Sequence, residues 1–304
     1  MNAIETHALT RRFGRTEAVH DLEFTVPTGS VTALLGPNGA GKSTTIKLLM
    51  NLLYPTQGRA QVLGTDSTRL GPREFAQIGY VSENQELPLW MSVAELIRYC
   101  APLYPTWDPA LERKLLQEFD LPPDRKLRHL SRGMKMKAAL LVSLAYRPKL
   151  VVLDEPFSGL DPLVREEFVR GILEVSDAGD WTVLISSHDI EEAERLADRV
   201  AVLDRGRLQL EESAESLQAR FRRIEVNLQG GTAFLEATPP AWILLERNGD
   251  RIRFTDTAYA ASSTESLCRQ RFPQAAVTAQ PMTLREIFVT LARTCRADSK
   301  GVAA

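Results

Sequence analysis

An α/β fold built on a mostly parallel sheet is what this sequence predicts, with antiparallel strands before it, a helical insertion within it and a small α+β unit after it. Three observations carry the prediction. A short apolar, β-rich run from Ser30 to Leu35 ends in a glycine-rich loop, and a helical composition begins at Lys42. A second apolar run, Leu150 to Leu153, precedes a helical pattern opened by Asp161-Pro162 and a further strand, Trp181 to Ser186. Strands alternating with helices imply parallel pairing with crossover helices. Between the two halves, Ser92 to Arg147 carries helix signals alone, which marks an insertion.

The elements follow in order. Ile4 to Val26 alternates short apolar stretches with turn residues at Phe13-Gly14 and then Pro27-Thr28-Gly29, the pattern of antiparallel strands. The helix from Lys42 is expected to reach Leu53, where Tyr54-Pro55 stops it. In the insertion, Ser92 and Glu95 form a capping-box pair. Asp108-Pro109 opens a helix with Leu111, Leu115, Leu116 and Phe119 on one face, and Pro122-Pro123 breaks it. A third helix is expected from Ser131 to Arg147, before Pro148. The core resumes with the strand at Leu150 and a helix turning Val164, Phe168, Ile172 and Val175 inward. A strand Arg199 to Leu203, a turn at Arg205-Gly206 and a short strand to Leu210 complete a first domain, 1–218, whose helical subdomain is 92–147. A smaller accessory domain, 219–304, is expected to hold a strand Ile224 to Leu228 and a hairpin Trp242 to Tyr259 turning at Asn248-Gly249. Helices near Glu265 to Arg271 and Leu284 to Thr294 follow, with Ala297 to Ala304 frayed.

Composition excludes several classes. At 304 residues, 44% hydrophobic and 25% charged, the chain has the makeup of a folded globular protein rather than a disordered one. A net charge of -2 supplies no overall pull toward nucleic acid, so none is expected as a partner. Cys100, Cys268 and Cys295 lie far apart without CxxC spacing, which suggests neither a disulfide framework nor a zinc site and fits a reducing compartment. Met1 to His7 has no apolar run, so a secretory signal is not expected. The longest apolar stretch, Ala138 to Tyr146, is well short of the about 20 residues a membrane span needs.

Chemistry concentrates in two segments. Gly36-Pro37-Asn38-Gly39-Ala40-Gly41-Lys42-Ser43 matches the phosphate-binding loop, in which glycines let backbone N–H groups turn around an oxyanion at the positive end of the next helix. Lys42 is expected on the β- and γ-phosphates, the Ser43 hydroxyl on Mg²⁺ and Thr44 on the α-phosphate. Leu150 to Glu155 is a buried strand delivering adjacent carboxylates at its C-terminal end. An acidic pair after a strand, taken alone, reads as a solvated turn. Paired with the loop, Asp154 reads as a Mg²⁺ holder and Glu155 as the group that orients or deprotonates an attacking water. Leu130-Ser131-Arg132-Gly133-Met134-Lys135 reads by itself as a helix start with Ser131 as N-cap.

In this order, the motifs resemble the ABC ATPase family: Phe13, the glycine loop, Ile78-Gly79-Tyr80-Val81-Ser82-Glu83, Leu130 to Met134, the acidic strand, Ser158-Gly159-Leu160-Asp161 and His188. The resemblance implies a P-loop NTPase core of the ABC type that hydrolyses ATP with Mg²⁺. It implies adenine stacking on Phe13 and two such domains meeting head to tail as a homodimer with ATP at the interface. Each ATP would lie between one chain's loop and the other's Ser131 and Gly133, with His188 as the switch residue holding the water of Glu155. It also implies integral membrane subunits on separate chains, and a place on the cytoplasmic face of the membrane.

Two departures stand out. Glu83 occupies the place where the family usually has glutamine, with Gln85 two residues on, so either could serve the Mg²⁺ site. Arg132 and Met134 replace glycine and glutamine of the usual signature, while Ser131 and Gly133 remain. These substitutions resemble the bacterial type-2 exporter branch, whose separate subunits pump antibiotics, lipids and other amphiphiles outward. Leu89, Trp90 and Met91 are expected either in a groove for the membrane partner or in the core. The alternatives to a transport motor are a soluble ABC ATPase acting on ribosomes or nucleic acid, and a nucleotide-sensing module. A long coiled coil or a second glycine loop would mark the first of these, and the sequence has neither.

Overall fold

The computed structural model describes residues 1–176, 181–228 and 238–301. Its chain divides into two compact units, Met1–Glu211 and Glu212–Ala304.

The first unit opens with β1 (Asn2–Phe13) and β2 (Thr16–Pro27), an antiparallel pair turning at Gly14. β3 (Val31–Leu35) leads through the glycine loop into α1 (Lys42–Leu49). This helix ends four residues earlier than the composition suggests, because Asn51 takes a left-handed conformation (φ 54) and turns the chain. β4 (Gln57–Val62) and β5 (Thr65–Asp66) complete a four-stranded sheet in the order β2-β1-β4-β5. After α2 (Pro72–Phe75), β6 (Ile78–Val81) enters the main sheet.

In the insertion, α3 (Val93–Cys100) starts at the expected capping box: Ser92 Oγ accepts from Glu95 N (3.2 Å) and a Glu95 carboxylate oxygen accepts from Ser92 N (2.7 Å). Asp108 caps α4 (Pro109–Glu118) by accepting from Ala110 N and Leu111 N. The next helix, α5 (Arg132–Leu144), ends short of Arg147, which adopts φ 52 and closes the helix. β7 (Leu150–Asp154), α6 (Pro162–Ser176), β8 (Thr182–Ser187), α7 (Ile190–Glu194), β9 (Arg199–Asp204) and β10 (Arg207–Ser213) follow. Phe168 and Ile172 of α6 are buried as expected and Val164 is half-buried; the side chain of Val175 lies outside the described residues.

The main sheet has six strands among the described residues, ordered β10-β9-β3-β8-β7-β6, with β9, β3, β8, β7 and β6 parallel. Both faces are covered, which is why its strands read as unbroken apolar runs. Along β7, Leu150 and Val152 join one core with α1 and the antiparallel strands, while Val151 and Leu153 join another with α3 to α6. That alternation is the period-2 geometry of a strand buried on both sides.

The second unit holds α8 (Ala214–Arg220) and an antiparallel sheet ordered β12-β13-β11-β14, from β11 (Arg222–Asn227), β12 (Trp242–Asn248), β13 (Arg251–Asp256) and β14 (Ala276–Pro281). α9 (Ala261–Arg271) supplies buried Cys268 to a core of Ile224, Val226, Ile252 and Phe254, with Trp242 stacked on Phe254 at 4.2 Å. α10 (Leu284–Gly301) continues past Ala297, where fraying was expected; residues 295–300 contain neither glycine nor proline, so nothing local interrupts the helix. Among the described residues, no helix is long and apolar enough to cross a membrane.

Candidate nucleotide site

Strand order and register assemble the site. β3, β8 and β7 are neighbours, Leu35 pairs with Ser187, and Ser186 pairs with Asp154. The glycine loop after β3, His188 after β8 and Glu155 after β7 therefore emerge together at the carboxyl edge of the sheet, where ligands of open α/β sheets bind. A cavity of 580 Å³ opens there, lined by Phe13, Ala18, Asn38, Gly39, Ala40, Gly41, Lys42, Ser43, Thr44, Glu83, Glu155, Ser158 and His188.

The loop's shape requires its glycines. Gly41 sits at φ 106 against β2, and a Cβ there would lie 2.4 Å from the Ala18 carbonyl oxygen, closer than any side chain tolerates. α1 begins immediately after it, with no acidic residue in its first turn and no side-chain cap. Its leading N–H groups are thus left for an external acceptor, and the helix dipole favours an anion. Lys42 is buried, donating to the carbonyls of Gly36 (2.8 Å) and Pro37 (3.3 Å) while its Nζ lies 2.9 Å from Glu155 Oε1.

The two carboxylates have opposite environments. Asp154 is 3% exposed, and its Oδ1 accepts from Ser43 Oγ (2.9 Å) and Ser186 Oγ (2.7 Å). Burial dominates and pushes its pKa up in spite of these bonds. Glu155 lies at φ 49, a left-handed conformation that is uncommon for a residue with a side chain, and it redirects the carboxylate away from that of Asp154. Burial opposes its charge, but hydrogen bonds from Lys42 and His188 prevail and hold the carboxyl below its ordinary value. His188 Nδ1 is 2.7 Å from Glu155 Oε2, so one carboxylate oxygen is held by a lysine and the other by a histidine.

At the rim, Phe13 is 46% exposed, with the Arg11 guanidinium 4.6 Å from its ring centroid and tied to the Tyr54 carbonyl (2.8 Å). Glu83 Oε1 accepts from the Ser158 hydroxyl (3.1 Å) in the cavity, whereas Gln85 turns back to accept from Ser82 N and Oγ, both at 3.2 Å.

Comparison with known proteins agrees with this geometry. The profile of the family described as ABC transporter matches residues 19–158. A solved structure described as the ATP binding subunit of an ABC transporter is 30% identical, with a TM-score of 0.64, covering 71% of this chain and 92% of that one. The chain belongs to the ABC transporter family. The sulfate/thiosulfate import ATP-binding protein CysA of Salmonella typhi is 33% identical over 216 residues, 68% of this chain. The probable multidrug ABC transporter ATP-binding protein YbhF of Escherichia coli K12 is 35% identical over 222 residues, 71% of this chain. The chain spans 59% of the length of CysA and 38% of that of YbhF.

Of the residues singled out by motif in this ABC chain, Gly36, Pro37 and Asp154 do not line the cavity but are hydrogen-bonded to Lys42 and Ser43, which do, whereas Ser131 and Gly133 neither line it nor bond to its lining. Ser131 Oγ accepts from Met134 N (3.2 Å) and caps α5, and Gly133 is buried where a Cβ would meet Val164 Cγ1 at 2.7 Å. Three neighbours of the site escaped the motif reading. Ser186 donates to Asp154 and accepts from Glu155 N (2.9 Å), and its one signal is a hydroxyl at the end of an apolar strand. Ala18 and Arg11 carry no motif; the β1-β2 pairing and the fold place them. The groove expectation divides: Leu89 and Trp90 are 48% and 66% exposed, but Met91 is core, contrary to a place in the groove. The chain turns at residues 88–91, with Met91 N donating to the Pro88 carbonyl, which leaves Leu89 and Trp90 at exposed corners, while the Met91 carbonyl accepts from Leu127 N and holds that residue against the core.

Proposed function

We propose that this chain is the ATP-hydrolysing subunit of an ABC transporter, working on integral membrane subunits carried on separate chains at the cytoplasmic face of the membrane. One observation carries it. Lys42, Glu155 and His188 form a continuous set, Lys42 ion-paired and His188 hydrogen-bonded to the Glu155 carboxylate, in the lining of a cavity that the glycine loop and Phe13 also line.

In this reading Phe13 stacks the adenine, residues Gly36 to Thr44 hold the phosphates through backbone N–H groups, and Lys42 neutralises their charge. Glu155, kept ionised by its hydrogen bonds to Lys42 and His188, accepts the proton of the attacking water, and His188 holds that carboxylate in place. Ser131 and Gly133 serve the nucleotide of a second, identical chain through the exposed start of α5.

Mg²⁺ fits the donors present. Among the described residues no group of three or more His, Cys, Asp or Glu could hold a metal by itself, which suits an ion that takes the rest of its shell from phosphates and water. Ser43, Asp154 and Glu83 would hold it, and the buried, charge-disfavoured Asp154 is the kind of carboxylate a cation stabilises. Bound there, the ion would offset charge on the transferring phosphoryl group.

The nucleotide-binding domain, expected over 1–218 with 92–147 as its helical subdomain, corresponds in this reading to the first compact unit, and the accessory domain expected over 219–304, for regulation or added dimer contact, to the second; their boundary at Glu211 precedes α8, which a cut at 218 would divide. Export is the direction we favour, because Ser131 to Lys135 and Glu83 resemble the type-2 exporter branch. Exposed Leu89 and Trp90 are offered to the membrane partner. Copurification of the tagged chain in mild detergent tests the proposal. A multi-span membrane protein in the eluate is expected; ribosomes or nucleic acid instead would overturn the transport reading.

A further inference from the structure

Arg132, the residue that departs from the usual glycine of the signature, has a defined contact within its own chain. The segment after Glu155 makes two successive turns, with Ser158 N donating to the Glu155 carbonyl and Leu160 N to the Phe157 carbonyl, both at 3.1 Å. Phe157 anchors it from below, edge-on to Phe168 at 5.4 Å. The tip, Ser158-Gly159, is held by no comparable packing of its own, since Gly159 has no side chain and adopts φ 69. The Arg132 guanidinium covers that position: a Cβ on Gly159 would lie 2.7 Å from Nη1 and 3.1 Å from Cζ.

The base of Arg132 is itself fixed. Gly133 seats α5 directly on Val164 of α6, and the buried Lys137 is ion-paired with Glu167 of the same helix. On the other side of the tip, the Ser158 hydroxyl donates to Glu83, and both residues line the cavity with Glu155 and His188. A packed chain of contacts therefore runs from the start of α5 through Gly159 and Ser158 to a carboxylate at the nucleotide cavity.

We propose that Arg132 is a positioning residue: its guanidinium pins the Ser158-Gly159 tip and so keeps the Ser158 hydroxyl on Glu83 at the edge of the cavity. The proposal rests on the ATPase reading above. Arg132 acts through Gly159 and Ser158 and touches no reacting atom. Without it, a left-handed glycine tip has wide backbone freedom, and Glu83 loses a donor that orients it.

The test uses the full chain with Arg132→Gly, Arg132→Lys, Ser158→Ala and the double variant Arg132→Gly/Ser158→Ala. Arg132→Gly is expected to lower kcat about 3-fold to 30-fold, the range of couplings carried through intermediate residues. Its KM for ATP should stay within about twofold, because Lys42 and the glycine loop are untouched and the Ser131 cap and the backbone N–H groups at the start of α5 are retained. Arg132→Lys, a cation without the planar guanidinium, should recover little. The double variant should be no slower than the slower single variant, since both changes break one chain of contacts. Amide hydrogen exchange across residues 157–160 should quicken in Arg132→Gly, a readout independent of turnover. Additive losses in the double variant, or unchanged exchange in that segment, would overturn the proposal. If the parent chain and Glu155→Gln hydrolyse ATP equally, the ATPase reading fails instead, while the exchange measurement still decides whether Arg132 holds the tip.

Discussion

Replacing Glu155 with glutamine isolates its charge and basicity from its shape. The amide keeps one oxygen that can accept from Lys42 at the 2.9 Å contact, but it can neither neutralise that ammonium nor take a proton from water. A positioned general base contributes about 10²-fold to 10⁴-fold, so the turnover of Glu155→Gln should fall by at least about 100-fold. Structure limits the collateral damage. Lys42 retains the Gly36 and Pro37 carbonyls, so the change weakens charge-assisted bonds without orphaning the ammonium. The loss from weakening those bonds is about 1–2 kcal/mol. For a unit of this size that corresponds to a melting temperature lower by about 2–8 °C. Phosphate release measures the first quantity, thermal unfolding the second and equilibrium nucleotide binding a third, which should be retained or tightened. The variant should then accumulate as an ATP-bound dimer. Turnover within about twofold of the parent, in a protein that still binds nucleotide, would remove Glu155 from the base role; that threshold lies far under the smallest general-base effect.

Other consequences follow from the same geometry. Asp154→Asn removes a charge that burial disfavours, so it should melt no lower than the parent while losing turnover; a drop of several degrees would contradict the environment assigned to Asp154. Glu155 has a folded-state pKa below its unfolded value, so its contribution to stability is present above the ordinary value of 4.5 and is lost as pH falls through the lowered one. Asp154 acts in the opposite sense, and melting curves of the parent and Glu155→Gln should be separated above that window and draw together on its acid side. Trp90→Ala should melt within about 0.5 kcal/mol of the parent, as exposed substitutions do, and uncouple transport from hydrolysis. Met91→Ala, in the core, should lose about 2–5 kcal/mol, and equal melting of the two variants would refute the inside-outside assignment. Cys268, its thiol pushed up to about 11 chiefly by burial, should resist alkylation at neutral pH until the second unit opens, as peptide mass mapping would read.

Much of this site was legible because its chemistry is local in sequence. The glycine loop, the acidic pair and the Ser92, Asp108 and Ser131 caps each depend on residues within one turn of one another, and a turn's geometry is dictated by those residues. Helix ends were less legible: α1 and α5 stop at left-handed Asn51 and Arg147, and neither residue type forces that conformation. What the sequence could not convey was register. Ser186 enters the site because β7 and β8 pair in parallel with Asp154 opposite it, and Arg11 backs Phe13 because β1 runs past Tyr54. Both are consequences of long-range pairing, and a serine or an arginine looks the same in sequence wherever that pairing carries it. The same reasoning explains Trp90 and Met91, adjacent residues of similar hydrophobicity with opposite fates. Their segment turns at residues 88–91 and hydrogen-bonds to residues 127 and 128, and that long-range contact leaves Trp90 at an exposed corner of the turn and carries Met91 into the core. Local patterns therefore announce which chemistry a chain carries, whereas pairing decides which further side chains that chemistry recruits. Substitutions at Ser186 and Arg11 accordingly belong with those at the motif residues in any dissection of this site, although neither lies in a motif.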